Sequence, residues 1–321
     1  MSMTSPPAAA TRTGLAVGLC TYKRRTSLER TLAHVAVAAK ALEMPPQVIV
    51  VDNDGQDPLV RQSVERFAAE SGLVVHYLVE AKPGISAARN AIFDQAETLN
   101  VRFVAMIDDD EWPSPNWLAA LLAERAATSA SVVGGPVRPV FPDAAARLRR
   151  YARFWSVDRQ YLHGKPFVFC TCNFLIDMQT VADIPRPLFN EEFGLSGGGD
   201  TVFFRSLFFA GKAMAWTDSA WVHEEVPPSR ASFAWMRQRR YRVGNHAVRW
   251  ESIESRARSL LKTLGLAARL PIYPLLRREP EMPFVAWLFE YDKLRGRMAS
   301  HLGDVFVEYG RASAPGEKAC G

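Results

Sequence analysis

The chain has 321 residues, 48% of them hydrophobic and 23% charged, which is ordinary for a globular protein with room for one large domain or two small ones. Its net charge of +5, with arginine far outnumbering lysine, suits phosphates or an anionic membrane surface; it is too diffuse for nucleic acid, and neither zinc-finger spacing nor an RNA-binding aromatic motif is present. Cys20, Cys170, Cys172 and Cys320 have neither metal-ligand spacing nor the density of a disulfide framework, 1–13 lacks the apolar core of a signal peptide, and no apolar stretch is long enough to span a bilayer, so a reduced cytoplasmic setting with at most peripheral membrane contact is expected.

The first half alternates strand-like and helix-like segments. Leu15-Ala16-Val17-Gly18-Leu19 reads as a strand, and Thr26 with Glu29 reads as a capping box for a helix carrying Leu28, Leu32, Val35 and Ala39 on one face. Val48-Ile49-Val50-Val51 is a buried strand ending at Asp52. A helix over 58–70 and a strand over 73–79 follow. Pro83-Gly84 turns the chain, Ser86 is placed to cap a helix through Ala96, and 103–107 is the next strand. Ser114-Pro115 has the cap-then-proline order of a helix start. Further on, Val168-Phe169 and 174–176 read as short strands, 195–200 as a glycine loop, 202–209 as an apolar helix and 220–223 as a last strand; from Ser229 the chain is helical and arginine-rich. Such alternation predicts an α/β protein with a Rossmann-like, mostly parallel sheet flanked by helices, followed by a helical C-terminal extension.

The most informative feature is Asp108-Asp109-Asp110, at the end of the apolar run 103–107. Carboxylates crowded at the mouth of a buried strand repel one another and need a counter-charge. A hard divalent cation, Mg²⁺ or Mn²⁺, arriving with a phosphate would supply it, with Asp108 and Asp110 as ligands. Thr21-Tyr22 and Asp52-Asn53-Asp54 also follow predicted strand ends, where open α/β sheets bind ligands. The bland alternatives are a solvated acidic loop at 108–110 and a plain turn at 52–54.

These motifs, in this order, resemble family 2 glycosyltransferases of the bacterial exopolysaccharide and glycolipid type. The matching segments are Leu19-Cys20-Thr21-Tyr22-Lys23-Arg24, Val50-Val51-Asp52-Asn53-Asp54, Gly84-Ile85-Ser86-Ala87-Ala88-Arg89-Asn90, Ile107-Asp108-Asp109-Asp110-Glu111, Asp200-Thr201 with Phe203-Phe204-Arg205, and Arg239-Arg240-Tyr241-Arg242-Val243-Gly244-Asn245. Singly the motifs are weak, but six in order over about 14–250 are specific. The resemblance implies a GT-A fold and an inverting hexosyltransferase using a nucleotide-sugar donor, most simply a UDP-sugar. Thr21, Tyr22, Arg24, Asp52, Asp54, Arg89, Asp108 and Asp109 would line the donor site, joined by Arg239 and Arg242. Asp200 would be the general base, and His223 would complete the metal shell unless it is a structural histidine. The family usually has glutamate immediately before the base. Here that position is Gly199, so Glu191 or Glu192 would assume part of that role.

Trp155 and Trp216 are candidates to stack on sugar, or else core. Arg237, Arg239, Arg240 and Arg242 would contact the donor diphosphate or a lipid pyrophosphate, or else form a solvated face. Arg256, Arg258, Lys262 and Arg269 interleave with Leu260, Leu261, Leu264 and Leu266, which fits an interfacial helix on the inner face of a cell membrane and equally a packed one. The expected organisation is a disordered 1–13, a catalytic domain over 14–228 (nucleotide half 14–135, acceptor half 136–228) and a helical region over 229–321. Its partners would be the donor and a glycan or lipid-linked acceptor. Two rival expectations are a non-catalytic glycan-binding scaffold and a sugar-phosphate nucleotidyltransferase; the latter needs a glycine-rich loop after the first strand, where Cys20-Thr21-Tyr22-Lys23-Arg24 stands.

Overall fold

The unbroken apolar runs become strands buried on both faces, as parallel sheets require. In the computed structural model, which describes residues 12–193, 197–276, 283–304 and 306, the first half forms β1 (Thr13–Thr21), α1 (Arg25–Ala39), β2 (Gln47–Asp52), α2 (Pro58–Ser71), β3 (Val75–Val79), α3 (Ile85–Thr98) and β4 (Val101–Ile107). After β4 come β5 (Glu111–Pro113), α4 (Trp117–Thr128), β6 (Val132–Gly134) and β7 (Val137–Val140). The middle adds β8 (Gln160–Leu162), β9 (Lys165–Phe167), β10 (Asn173–Asp177), α5 (Gly199–Phe209), β11 (Met214–Trp216) and β12 (Val222–Glu225). The C-terminal region is α6 (Phe233–Glu254), α7 (Arg256–Arg269), α8 (Tyr273–Leu276) and α9 (Pro283–His301).

The main sheet has the order β11-β6-β10-β4-β1-β2-β3, all neighbours parallel except β10, which runs against β4 and β6. Leu15, Val17 and Leu19 of β1 point into a core shared with α1, α2 and α4, while Ala16 and Cys20 point into the core of α3 and α5. Because β1, β2 and β4 run the same way, their carboxyl ends emerge at one edge, with Thr21 directly opposite Asp52. A second sheet, β5-β12-β7, lies beyond that edge and sets Glu111 opposite Glu224 and Trp112 opposite His223.

Several starts differ from the sequence expectation, and each is a tertiary effect. α1 begins at Arg25, so Thr26 lies inside its first turn, and Glu29 accepts hydrogen bonds from Ser63 and Arg66 of α2 rather than closing a capping box. α3 is entered from Gly84 at φ 118°, a conformation open to glycine, and Ser86 sits buried one residue inside the helix. α4 begins at Trp117, after a turn in which the Trp117 N–H donates to the Ser114 carbonyl. Val168 and Phe169 follow β9 as irregular chain. Thr13 already belongs to β1, and residues 1–11 lie outside those described, as do Leu195 and Ser196 of the expected glycine loop.

The C-terminal helices pack by glycine contact and buried charge. A Cβ on Gly244 of α6 would fall 2.0 Å from the Lys293 carbonyl oxygen, and one on Gly296 of α9 would fall 1.9 Å from that of Tyr241, so only glycine lets these backbones touch. Arg237 forks onto Asp292 through bonds of 2.8 and 3.1 Å. In α7 the inward residues are polar. Ser259 donates to Glu251 of α6 at 3.0 Å, and Arg297 of α9 donates to Glu251 at 2.6 Å and to Thr263 at 2.8 Å. Burial pushes the Glu251 carboxyl up, but Arg297 and Lys262 outweigh it and leave it below its usual 4.5. Its stabilising effect is therefore present above that value and is lost as pH falls through the lower folded-state value. Glu251→Gln should cost about 3 kcal/mol at pH 7 by leaving Arg297 buried without its counter-ion. Urea unfolding should show the gap from wild type closing as the pH is taken down through the acid range.

Candidate active site

The three aspartates at the end of β4 do different things. Asp109 turns inward and is 4% exposed; Thr21 donates to its Oδ2 at 2.8 Å and Arg24 to its Oδ1 at 3.1 Å. Burial pushes its carboxyl up to about 7, with Arg24 opposing. Thr31 of α1 donates to the Asp109 and Glu111 carbonyls, tying the acidic turn to the helix that follows β1. Asp110 is partly buried and ion-paired to Arg24 at 2.6 Å, and it does not line the cavity described below. Asp108 faces a cavity; burial raises its pKa and Arg89 counters. The counter-charge that the sequence demanded is supplied by two arginines of the chain itself.

The cavity measures about 770 Å³. β4 and α3 contribute Asp108 and Arg89, the first turn of α5 contributes Asp200, and α6 contributes Arg239, Arg242 and His246. Asp200 lies near enough to Asp108 to raise its pKa, and its Oδ1 accepts from the Thr201 N–H at 2.7 Å, which orients the carboxylate. Tyr161, Phe167 and Phe169 form an apolar wall opposite.

Two acids that sequence reasoning did not place complete the site. Glu111 and Glu224 are cross-strand partners and both line the cavity. Like charges directly opposite on a sheet repel. Burial, then Asp108 and Glu224, holds Glu111 well above the usual carboxylate range; burial likewise pushes Glu224 up to about 7, against the pull of Arg239. The alternation of β12 explains why His223 is not with them. It stands on the opposite face of the strand, its ring 5.5 Å from Trp112 and 4.8 Å from Trp221. The only available signal was the strand phase: with His223 turned one way, Glu224 must turn the other.

The other expected residues divide clearly. Asp52 is 1% exposed, accepting from the Tyr77 hydroxyl at 2.8 Å and the Asp54 N–H at 3.0 Å, and Asp54 pairs with Lys23 at 3.5 Å; neither lines the cavity. Tyr22 is exposed beside them. Trp155 packs edge-on against Phe141 and Trp216 donates to Asp218, both as core. Arg237 is engaged with Asp292, and Arg240 lies between Phe154 and Phe289 at the cavity wall. Glu191 is ion-paired with Lys82 and Glu192 accepts from Asn190; neither lines the cavity. A Cβ at Gly199 would lie 3.2 Å from both Ser86 Oγ of α3 and the Phe193 Cβ, closer than usual contact, so a side chain here would need one of them to shift.

A divalent cation fits the donor chemistry here: Mg²⁺ is typically held by one or two carboxylates plus substrate phosphates, and Asp108 in the cavity and Asp110 two residues on, paired with Arg24, are two such carboxylates. Among the described residues no cluster of three or more His, Cys, Asp or Glu side chains is arranged to hold a metal by itself.

Residues 16–184 match the model of glycosyl transferase family 2. The chain belongs to that family. It is 37% identical over 228 residues to the succinoglycan biosynthesis protein ExoM of Rhizobium meliloti (strain 1021), an alignment covering 71% of this chain and 72% of ExoM. The fold is that of the mannosyltransferase PcManGT from Pyrobaculum calidifontis in complex with GDP-Man and Mn²⁺, with a TM-score of 0.58 at 17% identity over 92% of this chain and 88% of that one. GalNAc-T7 with UDP, GalNAc and Mn²⁺ superposes with a TM-score of 0.51 at 10% identity, covering 74% of this chain and 51% of that one. The protein is thus a GT-A member of family 2, related to bacterial exopolysaccharide biosynthesis.

The raised pKa of Glu224 makes a signed prediction for the metal-free enzyme. A carboxyl lifted from 4.5 to about 7 loses the folded state stability as pH rises through that window. Glu224→Gln in EDTA should therefore be more stable than wild type at pH 8, by on the order of 1–3 kcal/mol, and no more stable at pH 4. Calorimetric melts of both proteins across that range would check it.

Proposed function

We propose that this family 2 protein transfers a hexose from a UDP-sugar to a hydroxyl of a glycan or lipid-linked acceptor, inverting the anomeric carbon. The observation that carries the proposal is that Asp108, Arg89, Arg239 and Asp200, drawn from four separate elements, line one cavity. The two solved folds described above were each obtained with a nucleotide or nucleotide-sugar and Mn²⁺, which supports a diphosphate and a divalent cation at the mouth of β4.

Asp108 and Asp110 are the residues that would hold the cation, which when bound would neutralise the diphosphate and assist its departure as a Lewis acid. Arg89 and Arg239 place planar guanidinium groups around the same volume, suited to bidentate phosphate contact. Asp200 takes the proton of the acceptor hydroxyl as that oxygen bonds to the anomeric carbon. The bond from that carbon to the phosphate oxygen breaks on the opposite side, releasing the nucleoside diphosphate. The apolar wall of Phe167 and Phe169 provides a surface on which a sugar ring can stack.

Asp200→Asn keeps the size of the side chain and removes its basicity. Turnover should fall 10²- to 10⁴-fold, the usual worth of a general base, while nucleotide affinity measured by calorimetry stays within about twofold. Undiminished turnover would show that Asp200 is not the base.

A further inference from the structure

In the fourteen residues of α7 the polar side chains Ser259 and Thr263 face in and most of the leucines face out. Ser259 and Thr263 are buried on the Glu251–Arg297 pair, whereas Leu260, Leu261 and Leu264 are 48, 68 and 57% exposed. Spacing at 3.6 residues per turn puts Ala257, Leu261, Leu264 and Ala268 along the outermost line of the helix. Arg258 and Arg269 lie on one flank of that line, while Lys262 reaches inward to donate to Glu251 at 3.1 Å. The helix carries no acidic residue. Beside its C-terminal end, Ile272 is exposed, and Trp287 donates its indole N–H to the Leu270 carbonyl at 3.0 Å while stacking between Phe284 and Tyr291.

We propose that this outer face of α7 is a docking surface for an anionic lipid bilayer, with the leucines entering the headgroup boundary and the arginines meeting lipid phosphates. An exposed leucine line with arginines on one flank, no acidic residue in the helix and aromatics near its end has the chemistry of an interfacial helix lying in the membrane plane. The arginines argue against a purely apolar partner and for a surface that is negative over its whole area. A second copy of the chain would have to bring acidic residues to α7, and α7 offers none to itself. The leucines are outward because the inner face is committed to the Glu251–Arg297 pair, and both of those residues also line the cavity. The lipid-facing helix is thereby fixed to the wall of the active site. The inference is independent of the transfer reaction, because bilayer binding requires neither donor nor metal.

Co-sedimentation of the full chain with phosphatidylcholine vesicles, with and without phosphatidylglycerol, tests it. Wild type should partition onto the phosphatidylglycerol vesicles and be released by high salt. Replacing Arg258 and Arg269 together by Gln should weaken partitioning about 25-fold, at roughly fivefold per cation. Leu260→Ser, Leu261→Ser and Leu264→Ser combined should reduce it at least tenfold, with an unchanged circular-dichroism melt because the side chains removed are exposed. Failure of wild type to bind the anionic vesicles would overturn the proposal. So would equal binding by the leucine variant, or a wild-type dimer in sedimentation velocity that the leucine variant dissolves, which would assign the face to a second copy.

Discussion

The hydrogen-bonded ion pair between Arg24, Thr21 and Asp109 is the constraint on which the site depends. Three consecutive carboxylates cannot sit at the end of a buried strand unless some of their charge is answered. Asp109 is answered from within, by Thr21 at the end of β1 and Arg24 just beyond it. That contact ties together the ends of the two central strands and leaves Asp108 facing the cavity, with Asp110 paired to Arg24 beside it. A turn that loses its anchor would let the acidic cluster relax into solvent, and the arrangement of charges around the cavity would go with it.

The remainder of the molecule completes what the sheet edge begins. The small second sheet brings Glu111 and Glu224 face to face near Asp108, where burial and their mutual repulsion favour the protonated carboxyls. The C-terminal helices answer with arginine. α6 and α9 touch through Gly244 and Gly296, close enough that Arg239 and Arg242 reach the cavity while Arg237 is held back by Asp292. The same helical pair seats α7 with its leucines outward, and the Glu251–Arg297 pair that holds it there also lines the cavity.

Much of this was legible in the sequence because parallel strands covered on both sides must be continuously apolar, and because ligand-facing polar residues must follow their ends. The runs ending at Thr21, Asp52 and Asp108 showed where the edge would be, and the leucine periodicity of α1 matched its buried face. Helix starts were less legible: Thr26, Ser86 and Ser114 all have capping chemistry, yet the chain enters each helix where the turn from the preceding strand delivers it. A one-residue phase was also beyond reach. His223 and Glu224 are neighbours, and only pairing with β5 decides which of them faces the cavity. Likewise, whether the leucines of α7 point in or out depends on Arg297, which is distant in sequence and claims the polar side of the helix.

The most direct test of the account is thermal unfolding of the purified protein with UDP, GDP, dTDP or CMP, each with and without Mn²⁺. A ligand at 100 times its dissociation constant adds about 2.7 kcal/mol of stability, which a melt resolves. The account predicts stabilisation by UDP that requires Mn²⁺ and disappears in Asp110→Asn. The absence of stabilisation by any of the four nucleotides, with or without metal, would contradict it.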